Sequence, residues 1–131
     1  AIEKNKINSK ICLENLLSLE NIENRRNDID VICKDVLKWI KPNYEKNLSS
    51  RIIDFNKLKF DFVYIDPPYE VDFHELVLNQ LFNSNLLKKD STVICEHSPN
   101  LFIKKSTLWE TIDVRNYGQS RLTFLINVQH P

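Results

Sequence analysis

Asp66-Pro67-Pro68-Tyr69 sets an acid, two imino acids and an aromatic ring in a row, directly after the apolar run Phe62 to Ile65. Each residue type narrows the chemistry. The prolines hold φ at about −65° and carry no N–H, so they leave stiff carbonyls that can only accept. An ionised Asp66 is likewise acceptor-only. A rigid set of acceptors suits a group with two N–H donors, such as the exocyclic NH2 of a nucleobase. That nitrogen is a poor nucleophile, because its lone pair is delocalised into the ring. Hydrogen bonds from its two hydrogens to Asp66 and the Pro67 carbonyl draw it toward sp3 geometry and expose the lone pair to an electrophile. Tyr69 offers a flat face on which a flipped-out base can stack. The competing reading is a plain strand–turn, since Asp and Pro are common turn residues.

The surrounding sequence must deliver that tetrad to an edge. Phe60 to Ile65 is apolar almost throughout, as a strand covered on both faces should be. Upstream, Ile7, Ile11, Leu13, Leu16 and Leu17 recur at roughly helical spacing and predict a helix from about Asn5 to Leu19. Ile29 to Cys33 reads as a short β-branched strand with Asp35 at its exit. Asp35 is also placed to cap a short helix, Val36 to Ile40, ended by Pro42. Residues 41–59 are long and polar and read as a surface insertion, with an RNA-contacting flap as the alternative. Past the tetrad, Asp72 opens a helix with Glu75 in capping-box position and an apolar face of Leu76, Val77, Leu81 and Phe82. Thr92 to Glu96 is a third buried strand. Trp109 to Arg115 and Arg121 to Val128 pair as a hairpin around Tyr117-Gly118-Gln119.

This order predicts an α/β fold: a mostly parallel sheet, helices on both faces and a C-terminal antiparallel hairpin. In such sheets ligands sit at the carboxyl ends of the strands. Asp35, Asp66 and the Glu96-His97 pair all fall there.

Composition removes other classes. The 131 residues, 42% hydrophobic and 27% charged, suit one domain with a real core. No apolar run approaches the roughly 20 residues that cross a bilayer, and no signal-peptide pattern opens the chain. Three widely spaced cysteines, Cys12, Cys33 and Cys95, read as free thiols in a reducing cytoplasm. Cys95-Glu96-His97 lacks the second ligand pair of a zinc site, so no metal is expected. With 18 basic and 18 acidic residues the net charge is zero, which argues against a sequence-blind phosphate binder and leaves room for one folded RNA or ribonucleoprotein.

An Asp-Pro-Pro-Tyr tetrad after a buried strand resembles the catalytic signature of amino-group methyltransferases that use S-adenosylmethionine. The fuller resemblance is to the bacterial small-subunit (16S) ribosomal RNA guanine-N2 methyltransferases (RsmD type). It runs through Ala1 to Leu16, Val31 to Ile40, Val93 to Ser98 and the closing Arg115 to Leu125. The tetrad points to the chemistry, and the final hairpin to this family. The resemblance implies a Rossmann-like methyltransferase fold with S-adenosylmethionine as cofactor. Glu3 then accepts from the cofactor's ribose hydroxyls, Asp35 contacts its adenine amino group and Asp66 also counts among the cofactor-binding residues; Asp66, Pro67 and Tyr69 hold the target guanine, with Pro68 completing the catalytic tetrad. Arg115 and Tyr117 help hold RNA or stabilise the hairpin. Glu96-His97 is assigned no catalytic step. The partner implied is ribosomal RNA or the small-subunit particle, with a monomeric, cytoplasmic enzyme.

One feature departs from that pattern. Members of this fold hold the cofactor with a glycine-rich loop after the opening strand, where only glycine lets the backbone come close enough. Here Gly118 is the single glycine, whereas average usage would put about nine in a chain this long. Methionine is absent altogether. The expectation is a chain truncated before Ala1, a partial methyltransferase domain lacking the first strand and the loop. The tetrad strand is then left with an unpaired apolar edge, and the 131 residues alone are inactive. Two other readings stay open: an adenine-N6 DNA methyltransferase with the same tetrad, and a non-catalytic nucleic-acid-binding fragment.

Overall fold

The computed structural model describes residues 1–19, 29–41, 57–68 and 73–128. They fall into two compact units, Ala1–Lys57 and Leu58–Pro131.

In the first unit, α1 spans Lys6–Leu17. Asn5 starts it, its side chain accepting from the amides of Ile7 and Asn8 at 2.9 and 3.0 Å, which satisfies two of the donors that every helix start leaves open. The helix stands where its spacing predicts, but its apolar residues do not form a buried face. Ile7 is 71% exposed, and the buried residue on α1 is Ser9. At 3.6 residues per turn, Ile7 and Ile11 fall on one side and Leu13, Leu16 and Leu17 on another, so no single stripe forms. The strand expected at Ile29 to Cys33 shrinks to one parallel bridge, Ile2 to Ile32. Two backbone bonds hold that bridge, Glu3 N–H to the Ile32 carbonyl at 3.0 Å and Ile32 N–H to the Ala1 carbonyl at 2.8 Å. A short α2, Val36–Trp39, follows, capped by Asp35 as the sequence suggests, and Trp39 and Ile40 are buried. Of the 41–59 insertion, residues 42–56 lie outside the described residues.

The second unit holds β1 (Phe60–Ile65), α3 (Phe73–Asn83), β2 (Leu87–His97), β3 (Trp109–Tyr117) and β4 (Ser120–Asn127). The strands form one mixed sheet in the order β1-β2-β4-β3. β1 and β2 run parallel, with Ile65 opposite Cys95, while β4 pairs antiparallel with both β2 and β3. The hairpin turn rests on Gly118, whose φ of +57° is left-handed backbone that glycine adopts without a Cβ clash. β2 outgrows the expected Thr92 to Glu96: its start pairs with β1 at Phe60 and Leu87, and Lys88 Nζ reaches Asp61 Oδ1 at 2.7 Å.

Period-two alternation sorts the sheet into two faces. Ile65, Val93, Cys95, His97, Thr123 and Leu125 are buried, as are Val77, Leu78 and Leu81 of α3, which packs on β2. Burying each of these aliphatic side chains contributes roughly 1.5–3 kcal/mol. Within the helix, Leu78 takes the core position expected of Leu76, which is 52% exposed. The other face differs from the expectation of a doubly covered strand: Phe62 is 72% and Tyr64 55% exposed. β1 is an edge strand, and its free side has no partner strand among the described residues. None of the described helices is long and apolar enough to cross a membrane.

Candidate active site

Asp66, Pro67 and Pro68 leave β1 at its carboxyl end, where the notional next step of the parallel register sets Asp66 beside Glu96. Tyr69 and Asp72 lie outside the described residues. The Asp66 carboxyl is held above its usual range, first by partial burial and then by the negative charge of Glu96, with His74 opposing. Glu96 is displaced the other way. The Tyr64 hydroxyl donates to its Oε2, and Ser120 donates too, which holds the Glu96 pKa down. The same bond pushes the Tyr64 phenol up to about 12.

Two buried histidines stand on the α3 side. His74 Nε2 lies 2.8 Å from the Glu96 carbonyl oxygen, which can only accept, so Nε2 carries the proton. Nδ1 of His74 is then an acceptor, and it is buried with no partner among the described residues. Burial drives the His74 pKa down, partly offset by the bond to the Glu96 carbonyl. His97 has both nitrogens engaged: Nδ1 donates to the Ser98 carbonyl at 2.9 Å, and Nε2 accepts from the Thr123 hydroxyl at 2.8 Å. The two rings meet edge to face with centroids 5.9 Å apart.

Cys95 is fully buried, and burial pushes its thiol up to about 12, so it carries no nucleophile at neutral pH. Along β2, Cys95 and His97 alternate with Glu96, so the triplet cannot close on one ion. Among the described residues no three His, Cys, Asp or Glu side chains gather as a metal site.

The other sequence candidates divide between the units. Tyr117 ends β3 opposite Ser120, and Arg121 pairs with His97, so the hairpin turn lies at the same end of the sheet as Asp66. Arg115 bonds Asp113 at 2.7 Å and sits over the Phe124 ring at 5.0 Å, a fit to its hairpin-stabilising reading. In the first unit, Glu3 and Asp35 leave the carboxyl end of the parallel Ile2/Ile32 bridge. Each accepts a local amide: Glu3 from Asn5 at 2.7 Å and Asp35 from Lys38 at 3.2 Å.

Sequence reasoning set Glu96 at the strand end with Asp66 and gave it no catalytic step; it did not single out Tyr64 or His74, which the structure brings to Glu96. The signal was present in Val93-Ile94-Cys95-Glu96-His97, where alternation turns Glu96 away from its buried neighbours toward the tetrad's face. A separate groove of about 940 Å3, lined by residues including His74, Leu78, Phe102 and Trp109, runs on the α3 side, and Asp66 does not line it.

Relatives extend these observations. The chain is 31% identical over 87 residues to an uncharacterized methylase of Rickettsia prowazekii, a match covering 66% of this chain and 37% of that protein. A candidate methylase from Haemophilus influenzae shares the fold with a TM-score of 0.69 at 19% identity, covering 98% of this chain and 71% of that one. A conserved hypothetical protein of Streptococcus pyogenes gives 0.73 at 21% identity, covering 97% and 69%. These likenesses give the chain the Rossmann-like α/β fold of that group. The family described as "Conserved hypothetical protein 95" matches residues 1–126, and the chain belongs to it.

Proposed function

We propose that this chain carries the target-base half of an S-adenosylmethionine-dependent methyltransferase whose substrate is the exocyclic N2 amine of a guanine in small-subunit ribosomal RNA. The observation that carries the reading is Asp66-Pro67 leaving the carboxyl end of β1, one residue past the Ile65/Cys95 pair. The description of the Rickettsia relative as a methylase supports it. The choice of guanine follows from the resemblance of the closing hairpin, Arg115 to Leu125.

In this reading Asp66 and the Pro67 carbonyl each accept one amine hydrogen, which frees the nitrogen lone pair. Tyr69 stacks on the base, and Tyr117 contacts RNA from the hairpin end. Asp66, with its raised proton affinity, takes the proton that the methylated amine must release. The cofactor, when bound, supplies a methyl group activated on a sulfonium. Glu3 and Asp35 fit two of its features, since both are strand-end carboxylates able to accept from ribose hydroxyls and an adenine amine. Close backbone approach to the cofactor needs glycine, and Gly118 sits in the hairpin instead. We therefore assign weak cofactor binding, and no activity, to the 131 residues alone. The partner is ribosomal RNA or the small-subunit particle, and the enzyme is a cytoplasmic monomer.

The test is transfer of labelled methyl groups to 16S ribosomal RNA, to small subunits and to duplex DNA, using this chain with all the sequence its gene encodes, followed by nucleoside analysis. N2-methylguanosine lost in Asp66→Ala, with cofactor binding retained, is the expected result. N6-methyladenine in DNA, or transfer unaffected by Asp66→Ala, overturns it.

A further inference from the structure

Glu96 is tied from both sides of the sheet. On the open face its carboxylate accepts from the Tyr64 hydroxyl and from Ser120. On the α3 side its backbone carbonyl accepts from His74 Nε2 at 2.8 Å. The carboxylate takes donors from two strands, and side-chain entropy works against holding a solvated surface acid still. Position explains the arrangement. Ile65 pairs with Cys95, so Asp66 and Glu96 are the next residues along two parallel strands about 4.8 Å apart. Tyr64, two residues before Asp66, faces the same way and reaches Glu96 across the pair.

We propose that Glu96 is a positioning residue that acts on the amine through Asp66: pinned by Tyr64 at the carboxyl edge of the β1/β2 pair, it supplies the fixed negative charge against which Asp66 takes up the amine's proton. This inference rests on the methyltransferase reading. As the nitrogen lone pair forms the new N–CH3 bond, the S–CH3 bond of the sulfonium breaks and its electron pair stays on sulfur. One N–H bond of the resulting cation then breaks, its pair returning to nitrogen and its proton passing to a carboxylate oxygen of Asp66. A like charge next to that carboxylate favours this uptake. Without it, Asp66 is a weaker base. The other ionisable groups around the pair are Tyr64 from β1, His74 from α3, His97 from β2 and Arg121 from β4. His74 acts on Asp66 in the opposite sense to Glu96, and Arg121 is engaged by Asn116 and the Phe102 ring.

Glu96→Gln keeps an acceptor for Tyr64 and removes the charge. Titration of the Asp66 carboxyl by carbon-13 NMR, in wild type and in Glu96→Gln of the full gene product, reads the coupling without any turnover. The expected result is a lower Asp66 midpoint in the variant. In the transfer assay, kcat falls about tenfold, KM for the cofactor stays put, and the acid limb of the pH–rate profile moves to lower pH. Glu96→Asp recovers part of the loss, as a charge effect requires. An Asp66 midpoint and pH profile unmoved in a folded Glu96→Gln protein overturn the proposal. If Asp66→Ala transfers methyl groups normally, the methyltransferase reading of Asp66 fails instead, while the NMR arm still reports whether the two carboxyls are coupled.

Discussion

Both units of this chain place acids at the carboxyl end of a parallel strand contact, and they engage them differently. In Ala1–Lys57, Glu3 and Asp35 turn back on their own chain and accept amides two and three residues ahead. In Leu58–Pro131, Asp66 and Glu96 each follow the last paired residues of two parallel strands, and Glu96 is held by a phenol, a serine and, at its backbone carbonyl, a histidine. An acid that accepts the amide of a helix start stabilises the helix. An acid next to another acid is pushed toward taking a proton. Strand-end position brings a carboxylate to an edge; its neighbours then decide whether it is a cap or a reacting group.

The largest expected effect tests the second unit. Asp66→Asn keeps the shape and loses the base, so transfer falls about 10²–10⁴-fold at saturating cofactor, measured by label incorporation. If it falls no more than in a surface control, the contrast between the units collapses. In the first unit, Glu3→Gln retains an oxygen for the Asn5 amide but gives up charge. Cofactor affinity in calorimetric titration is expected to drop about tenfold, as the loss of a charge-assisted hydrogen bond predicts. An unchanged affinity returns Glu3 to a purely local role.

Asp35 separates cap from contact. Asp35→Ala should lower stability by about 1 kcal/mol in urea unfolding, because α2 loses its side-chain acceptor. Asp35→Asn should cost nothing in stability, since Asn caps as well as Asp, yet still weaken the cofactor if the adenine contact is right. The smallest effect is a slope. Burial lowers the His74 pKa, and an unfolded histidine titrates at about 6.5. Between those values the unfolded chain binds more protons, so stability holds above pH 6.5 or so and declines as the pH falls through it. His74→Gln should flatten that decline in urea midpoints taken across the window. Residues 1–57 contain no histidine, so the slope belongs to the second unit.

Much of the fold was readable because it is written in local terms. Phe60 to Ile65 was placed to the residue, and the closing hairpin to within two, because β-branched runs and a lone glycine mark strands and turn. Phe62 and Tyr64 misled, since an apolar run reads as covered on both faces while β1 is an edge strand exposing them. Leu76 and Leu78 exchanged roles because two positions along a helix turn a side chain by about 200°. Those errors share a cause: each depends on what packs against the element.

The Asp-Pro-Pro backbone stiffness, its donor-free carbonyls, the Asp35 cap and the Gly118 turn are properties of residue types and short spacings, and the chain's order determined them. The placing of Asp66 level with Glu96, one step past the Ile65/Cys95 pair, is a different kind of inference. It joins residues thirty positions apart through a parallel register, and it needs Tyr64, Ser120 and His74 brought in from β1, β4 and α3. Charges couple through space over a few ångströms, whatever their separation along the chain. Folding alone sets that distance.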